Sequence, residues 1–226
     1  MEKKKVKQWI NPYINLLNSE IEDVLNLRDF PLSEYHGELL ADRMVSATDI
    51  YVEIGSGSGK HLIEQATRKP EDLFIGFELR YKRAFRTVEK AKKRGLKNLL
   101  VVVGDAKLFM VKLFPASSLA GIYVYFPDPW EKKKWNKHRM INEDFLNISH
   151  RLLGSSGFID YKTDHQEYFY SVIQQFVSSK LFEVRLKDEG SQLLQNEDLA
   201  LASEFEMLFR SKKSPIYSLV ARNVYK

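Results

Sequence analysis

Three glycines alternate in one short turn, Gly55-Ser56-Gly57-Ser58-Gly59, with Glu53 before it and Lys60 after it. Such a turn lets backbone approach a ligand closely. The spacing is G-x-G-x-G, whereas the dinucleotide fingerprint G-x-G-x-x-G would need glycine where Lys60 stands. Glu78 lies 23 residues beyond Gly55, near the distance expected of a carboxylate that accepts both hydroxyls of a free ribose. Asp105, in Gly104-Asp105-Ala106, is placed to accept from an adenine amino group. Asp128 lies in Phe126-Pro127-Asp128-Pro129-Trp130, and Asp164 follows Thr163. Taken singly, these are a tight turn and a few solvated acids. Taken together, glycines and acids at expected spacings describe the seat of a nucleoside-bearing ligand.

Each of these features ends an apolar run, and the runs must be the elements that position them. Ile50–Ile54, Leu73–Phe77, Leu99–Val103, Gly121–Phe126 and Phe158–Lys162 read as strands. Leu99–Val103 is nearly pure Leu and Val, as a parallel strand buried on both faces should be. Helical stretches alternate with them at 60–68, 80–94, 141–153 and 167–178. Phe182–Leu186 and Ile216–Arg222 read as two late strands. The alternation predicts an α/β fold: a doubly wound, mostly parallel, seven-stranded sheet with helices on both faces. Ligands bind such sheets outside the carboxyl ends of the strands, where all five acids fall. Residues 1–45 differ in texture and read as a basic arm with one or two short helices, punctuated by Pro12 and Pro31. Residues 46–226 read as the main domain.

Composition narrows the chemistry. The 226 residues carry a formal net charge of +5, which points to an anionic partner. The excess is uneven: Lys3, Lys4, Lys5 and Lys7 open the chain, and Lys132, Lys133, Lys134, Lys137, His138 and Arg139 follow the Phe126–Trp130 motif. Lys82, Arg83 and Arg86 add a basic helix face. There is no cysteine, so disulfides, thiolate metal sites and covalent cysteine catalysis are excluded. The five histidines, His36, His61, His138, His150 and His165, form no pair at i, i+4, and no metal is expected. No run approaches the length of a membrane span and no signal-peptide core is visible, so the reading is cytoplasmic.

The joint signature of Glu53, the Gly55–Gly59 turn, Glu78 and Asp105 resembles the class I S-adenosylmethionine (SAM)-dependent methyltransferases. The Phe126–Trp130 segment with its basic tail resembles, more narrowly, the bacterial tRNA (guanine-N7-)-methyltransferase family. The likeness extends to Gly76-Phe77-Glu78, to Thr163-Asp164, and to Ser203-Glu204-Phe205-Glu206 ahead of a Phe-Arg-Ser-Lys segment. It implies a Rossmann-like methyltransferase fold with SAM as cofactor and tRNA as partner, as a monomer or homodimer. By the same likeness, Glu53, Gly55, Gly57, Gly59, Glu78, Asp105, Ala106 and Asp128 would contact the cofactor, and Asp128 would also face the reacting guanine of the variable loop. Lys132, Asp164, Ser203, Glu204, Phe205 and Glu206 would hold the substrate. Lys134, Trp135, Asn136, Lys137, His138 and Arg139 would touch RNA. Ser203 stands where the family usually has Thr, and Trp135 and His138 replace a common His and Arg. Trp135 would either stack on a base or pack on its neighbours.

The chemistry is consistent with this set. Guanine N7 carries an in-plane lone pair and needs no general base, so positioning supplies much of the rate. Methylation leaves a positive charge on the purine, which a carboxylate such as Asp128 or Asp164 would stabilise. Alternatives are a methyltransferase acting on another RNA or on a small molecule, a non-catalytic RNA-binding protein with the same fold, and a nicotinamide oxidoreductase, which the glycine spacing disfavours.

Overall fold

The computed structural model describes residues 11–18, 23–29, 31–189 and 199–224; the lysines at 3, 4, 5 and 7 lie outside them. The chain runs α1 (Pro12–Asn18), β1 (Val24–Asn26), α2 (Glu34–Ser46), β2 (Ile50–Ile54), α3 (Lys60–Arg68), β3 (Leu73–Glu78), α4 (Tyr81–Lys93), β4 (Leu99–Val103) and α5 (Ala106–Leu113). It continues with β5 (Leu119–Tyr125), α6 (Glu143–Leu152), β6 (Leu153–Thr163), α7 (Gln166–Ser179), β7 (Phe182–Glu189), α8 (Glu204–Ser211) and β8 (Tyr217–Asn223). Two 3-10 turns, Lys133–His138 and Leu199–Leu201, precede α6 and α8.

The strands form one sheet in the order β1-β4-β3-β2-β5-β6-β8-β7. Among the described residues, only the β6–β8 and β7–β8 pairings are antiparallel. The doubly wound architecture read from the alternating pattern is therefore present, with one correction: among the described residues the sheet has eight strands, not seven. The additional strand is Val24–Asn26, which adds to the edge by pairing in parallel with Val101–Val103. Three residues are too few to show a periodicity, so only tertiary pairing makes this segment a strand.

Side chains alternate across the sheet and build a core on each face. On one face Val52, Ile54, Ile75, Leu100, Val102, Ile122 and Val124 meet α5, α6 and α7. On the other, Tyr51, Phe74, Val101, Val103, Tyr123 and Tyr125 meet Leu62, Ile63 and Ala66 of α3 and Ala84, Val88 and Ala91 of α4. Burial on both sides explains why β4 contains only Leu and Val. The chain reverses its direction of winding at β2, which pairs with β3 on one side and β5 on the other. The crevice at that switch point lies beside the glycine turn.

The N-terminal segment braces this edge. The Arg28 backbone N donates to the Val103 carbonyl (2.9 Å) and its guanidinium to the Leu79 carbonyl (2.9 Å). The Tyr81 hydroxyl donates to Asp29 (2.7 Å). Residues 28–29 thus tie the ends of β3 and β4 together.

Candidate active site

The turn after β2 is built as its glycines require. Gly55, Gly57 and Gly59 all have positive φ, at 75°, 61° and 77°, a region that costs other residues about 1–2 kcal/mol. The amides of Gly55 and Ser56 both donate to the Phe77 carbonyl, which fastens the turn to β3. A Cβ at Gly55 or Gly57 would meet open space, whereas one at Gly59 would lie 2.4 Å from Thr87 of α4. The first two glycines therefore leave room above the turn, and the third lets α4 approach. Replacing Gly59 by Ala is expected to cost about 2–5 kcal/mol, the sum of left-handed strain and overpacking. A loss of only about 1–2 kcal/mol would show that Thr87 moves aside, and an unchanged urea midpoint that the turn takes up another backbone conformation.

A cleft of about 500 Å³ opens over this turn. It brings together Gly55, Glu78, Asp105, Ala106 and Asp128, with Lys137, His138 and Phe205 from the expected substrate and RNA segments. Two other clefts, between α6 and α7 and at the opposite edge of the sheet, contain none of the expected residues.

Glu78 is the buried acid of the cleft, 7% exposed. Burial pushes its carboxyl up, and this outweighs the Arg80 amide that donates to Oε1 (2.8 Å), nearby Arg83 and the Gly57 amide. Asp105 is exposed and caps α5, its side chain accepting from the Leu108 amide. Asp128 is exposed on the loop after β5. That loop leaves the sheet through a left-handed Phe126 (φ 51°), and Trp130 is left-handed too (φ 46°). Such conformations in bulky residues store strain that the surroundings must impose. The Phe126 amide donates to the Lys162 carbonyl (2.8 Å), and its ring packs on Phe209 (5.2 Å).

Other expected residues lie elsewhere. Glu53 is 3% exposed and does not line the cleft; it pairs with Nδ1 of equally buried His61 (3.2 Å). The His61 ring stands edge-on to Tyr123 and Tyr125. Asp164 is half-buried at the end of β6.

Arg139, expected to touch RNA, faces inward instead. It is 3% exposed, donates to the Pro129 carbonyl (2.8 Å) and lies over the Tyr168 ring of α7 (4.7 Å). It clamps the Asp128 loop to α7. Trp135 stands edge-on to Trp130 (6.0 Å), and His138 packs on Trp130 (5.3 Å). Trp135 nonetheless keeps an exposed face, with the Lys132 and Lys134 ammonium groups near it (4.9 and 5.4 Å).

The Ser203–Glu206 segment divides its tasks. Ser203 is the N-cap of α8 and accepts from the Glu206 amide (3.1 Å), which is the spacing of a capping box. Glu206 is fully buried, contrary to its expected place against the substrate, and pairs with Lys162 (3.1 Å) and Arg210 (2.6 Å). Burial alone would push its carboxyl up; the two cations prevail and hold it below the ordinary range. Glu204 accepts from the Ser58 hydroxyl and faces Lys90 (3.5 Å). Of the four, only Phe205 lines the cleft, with the Arg83 guanidinium over its ring (5.6 Å). His61, Lys162 and Arg210 complete these buried pairs, and in the sequence only a lysine inside the apolar run 158–162 signals a buried partner.

Among the described residues no cluster of three His, Asp or Glu side chains could hold a metal, and no helix is long and apolar enough to cross a membrane.

A protein-family model described as "Putative methyltransferase" matches residues 47–219. A tRNA (guanine-N(7)-)-methyltransferase of Thermotoga maritima is 34% identical over 77% of this chain and 54% of its own length. Those of Campylobacter jejuni (34%, 75% and 41%) and Myxococcus xanthus (40%, 51% and 56%) are similar. The chain spans about half the length of the curated relatives it matches. Among solved structures, a 16S rRNA (adenine(1408)-N(1))-methyltransferase variant from Catenulisporales acidiphilia, with cosubstrate SAM, has a TM-score of 0.62 at 17% identity, over 86% of this chain and 94% of that one. A precorrin-6y C5,15-methyltransferase from Geobacter metallireducens gives 0.53 at 14%, over 88% and 96%. These likenesses carry the class I methyltransferase fold. With the match over residues 47–219 and relatives at 34–40% identity, the chain belongs to this methyltransferase family, alongside the tRNA (guanine-N7-)-methyltransferases of these bacteria.

Proposed function

We propose that this chain transfers a methyl group from SAM to N7 of a guanosine in tRNA, in the variable loop and in the cytoplasm. The observation that carries the reading is that Asp128 lines the same cleft as Gly55, Glu78 and Asp105. Cofactor-type acids and an acceptor-type acid thus face one space. The residues fit SAM: the cleft is large enough for a nucleoside, Gly55 and Gly57 leave it open, and a buried carboxylate waits at the ribose position. Bound there, SAM would supply an already activated methyl group.

The chain's own residues would then do three things. Glu78 accepts from the ribose hydroxyls and Asp105 from the adenine amine, which fixes the cofactor's direction. Asp128, presented by the strained loop and clamped through Arg139, accepts from the guanine edge and opposes the positive charge that grows on the purine. Lys132, Lys134, Lys137 and the exposed face of Trp135 meet the RNA, with phosphate contacts that make binding salt-dependent. Support for tRNA comes from the relatives' names together with this basic rim. Methyl transfer from labelled SAM to unmodified tRNA, followed by mapping of the modified base, tests the reading; label absent from N7-methylguanosine would refute it.

A further inference from the structure

Lys60 is where the glycine turn departs from the dinucleotide fingerprint, and its surroundings give that departure a use. As the first residue of α3 it places a cation at the positive end of a helix dipole, which is unfavourable on its own. The compensation comes from the far end of the chain. The ammonium donates to the carbonyls of Ala202 (2.7 Å), Ala200 (3.1 Å) and Leu199 (3.4 Å), which engages all three of its donors. Leu199 and Ala200 lie in the 3-10 turn that leads into α8, and Ala202 follows it directly. A second tie lies beside the first: Glu204 meets Ser58 and Lys90, and Lys90 also donates to the Ser58 carbonyl (2.9 Å). The next residue, Phe205, forms a wall of the cleft.

We propose that Lys60 is a positioning residue, which fastens segment 199–205 to the glycine turn and thereby couples cofactor binding at that turn to the wall that receives the acceptor base. The inference rests on the proposed methyl-transfer reading for its kinetic test. Lys60 does not line the cleft, so its loss should leave the cofactor contacts in place while freeing Phe205. The amides of 199–205 should become protected when SAM rigidifies the turn, and only while Lys60 holds them.

The test compares the full chain with Lys60→Met and Lys60→Arg. For Lys60→Met the expected result is a KM for tRNA raised about tenfold, the equivalent of one charge-assisted hydrogen bond. The calorimetric Kd for SAM should stay within about threefold, a difference below 0.7 kcal/mol. Lys60→Arg, which retains charge and donors, should recover most of the loss. In hydrogen exchange, SAM should slow the amides of 199–205 in the parent and not in Lys60→Met. Equal SAM-induced protection in both proteins overturns the proposal, as does loss of SAM affinity, kcat and thermal stability together, which would mark a merely structural lysine. Should Lys60→Met not fold, Lys60→Gln is subjected to the same comparison. If the parent methylates no tRNA, the functional reading fails alone, and the exchange experiment still decides the role of Lys60.

Discussion

Asp128→Asn is expected to lower kcat by about 10²–10³-fold, the range seen when one preorganised charge-stabilising group is removed. The substitution keeps the side chain's size and one acceptor oxygen but removes its charge. Asp128 stands on an exposed loop that lines the cleft, so folding should not suffer. Calorimetric affinity for SAM should change far less than kcat, because Glu78 and Asp105 remain. Single-turnover rates with unmodified tRNA check this directly. A near-parental rate would remove Asp128 from the mechanism and leave half-buried Asp164 as the acid to examine next.

The largest effect on stability is expected at a residue that never reaches the cleft. Glu206→Ala should cost about 3–5 kcal/mol, since it removes the buried carboxylate that two inward-facing cations share. Lys162 is 8% exposed in its side chain and Arg210 19%, so neither can turn freely to water. Against a typical total of about 5–15 kcal/mol, such a loss is severe. The pH dependence has a definite sign. The carboxyl is held low in the folded chain, so its contribution is complete above the unfolded-state value of about 4.3. It is lost as pH falls from there through the folded-state value, and Glu206→Ala should lose this part of the acid sensitivity. Urea midpoints measured at neutral pH and near pH 4 test both statements. A cost below about 1 kcal/mol would mean that water reaches Lys162 and replaces the carboxylate.

Much of the fold and of the cleft is legible in the sequence, for physical reasons that differ by residue. Leu99–Val103 announced itself because burial on both faces permits only apolar residues. Glu78, Asp105 and Asp128 were readable because strand ends in this fold point to one edge, so position along the chain translates into position in space. Val24–Asn26 was not readable, because pairing with β4 and not local pattern makes it a strand. Direction was the other blind spot. A run of basic residues gives the charge of Lys134, Lys137 and Arg139 but not which way each points, and Arg139 points inward. Likewise Ser203-x-x-Glu206 has the spacing of a helix-capping motif, and that local task, with the buried partners Lys162 and Arg210, occupies both residues.

The left-handed Phe126 has a consequence for how this chain can change. Glycine would adopt that backbone without strain, a relief of about 1–2 kcal/mol, but it would give up the packing of the ring and add freedom to the unfolded chain, so the exchange is expected to destabilise. The exchange would remove the ring that packs on Phe209 and free the hinge that aims the Pro127-Asp128 segment. Packing and aim therefore act together at one torsion angle: the ring contact that offsets the strain is also what holds the start of the Asp128 loop.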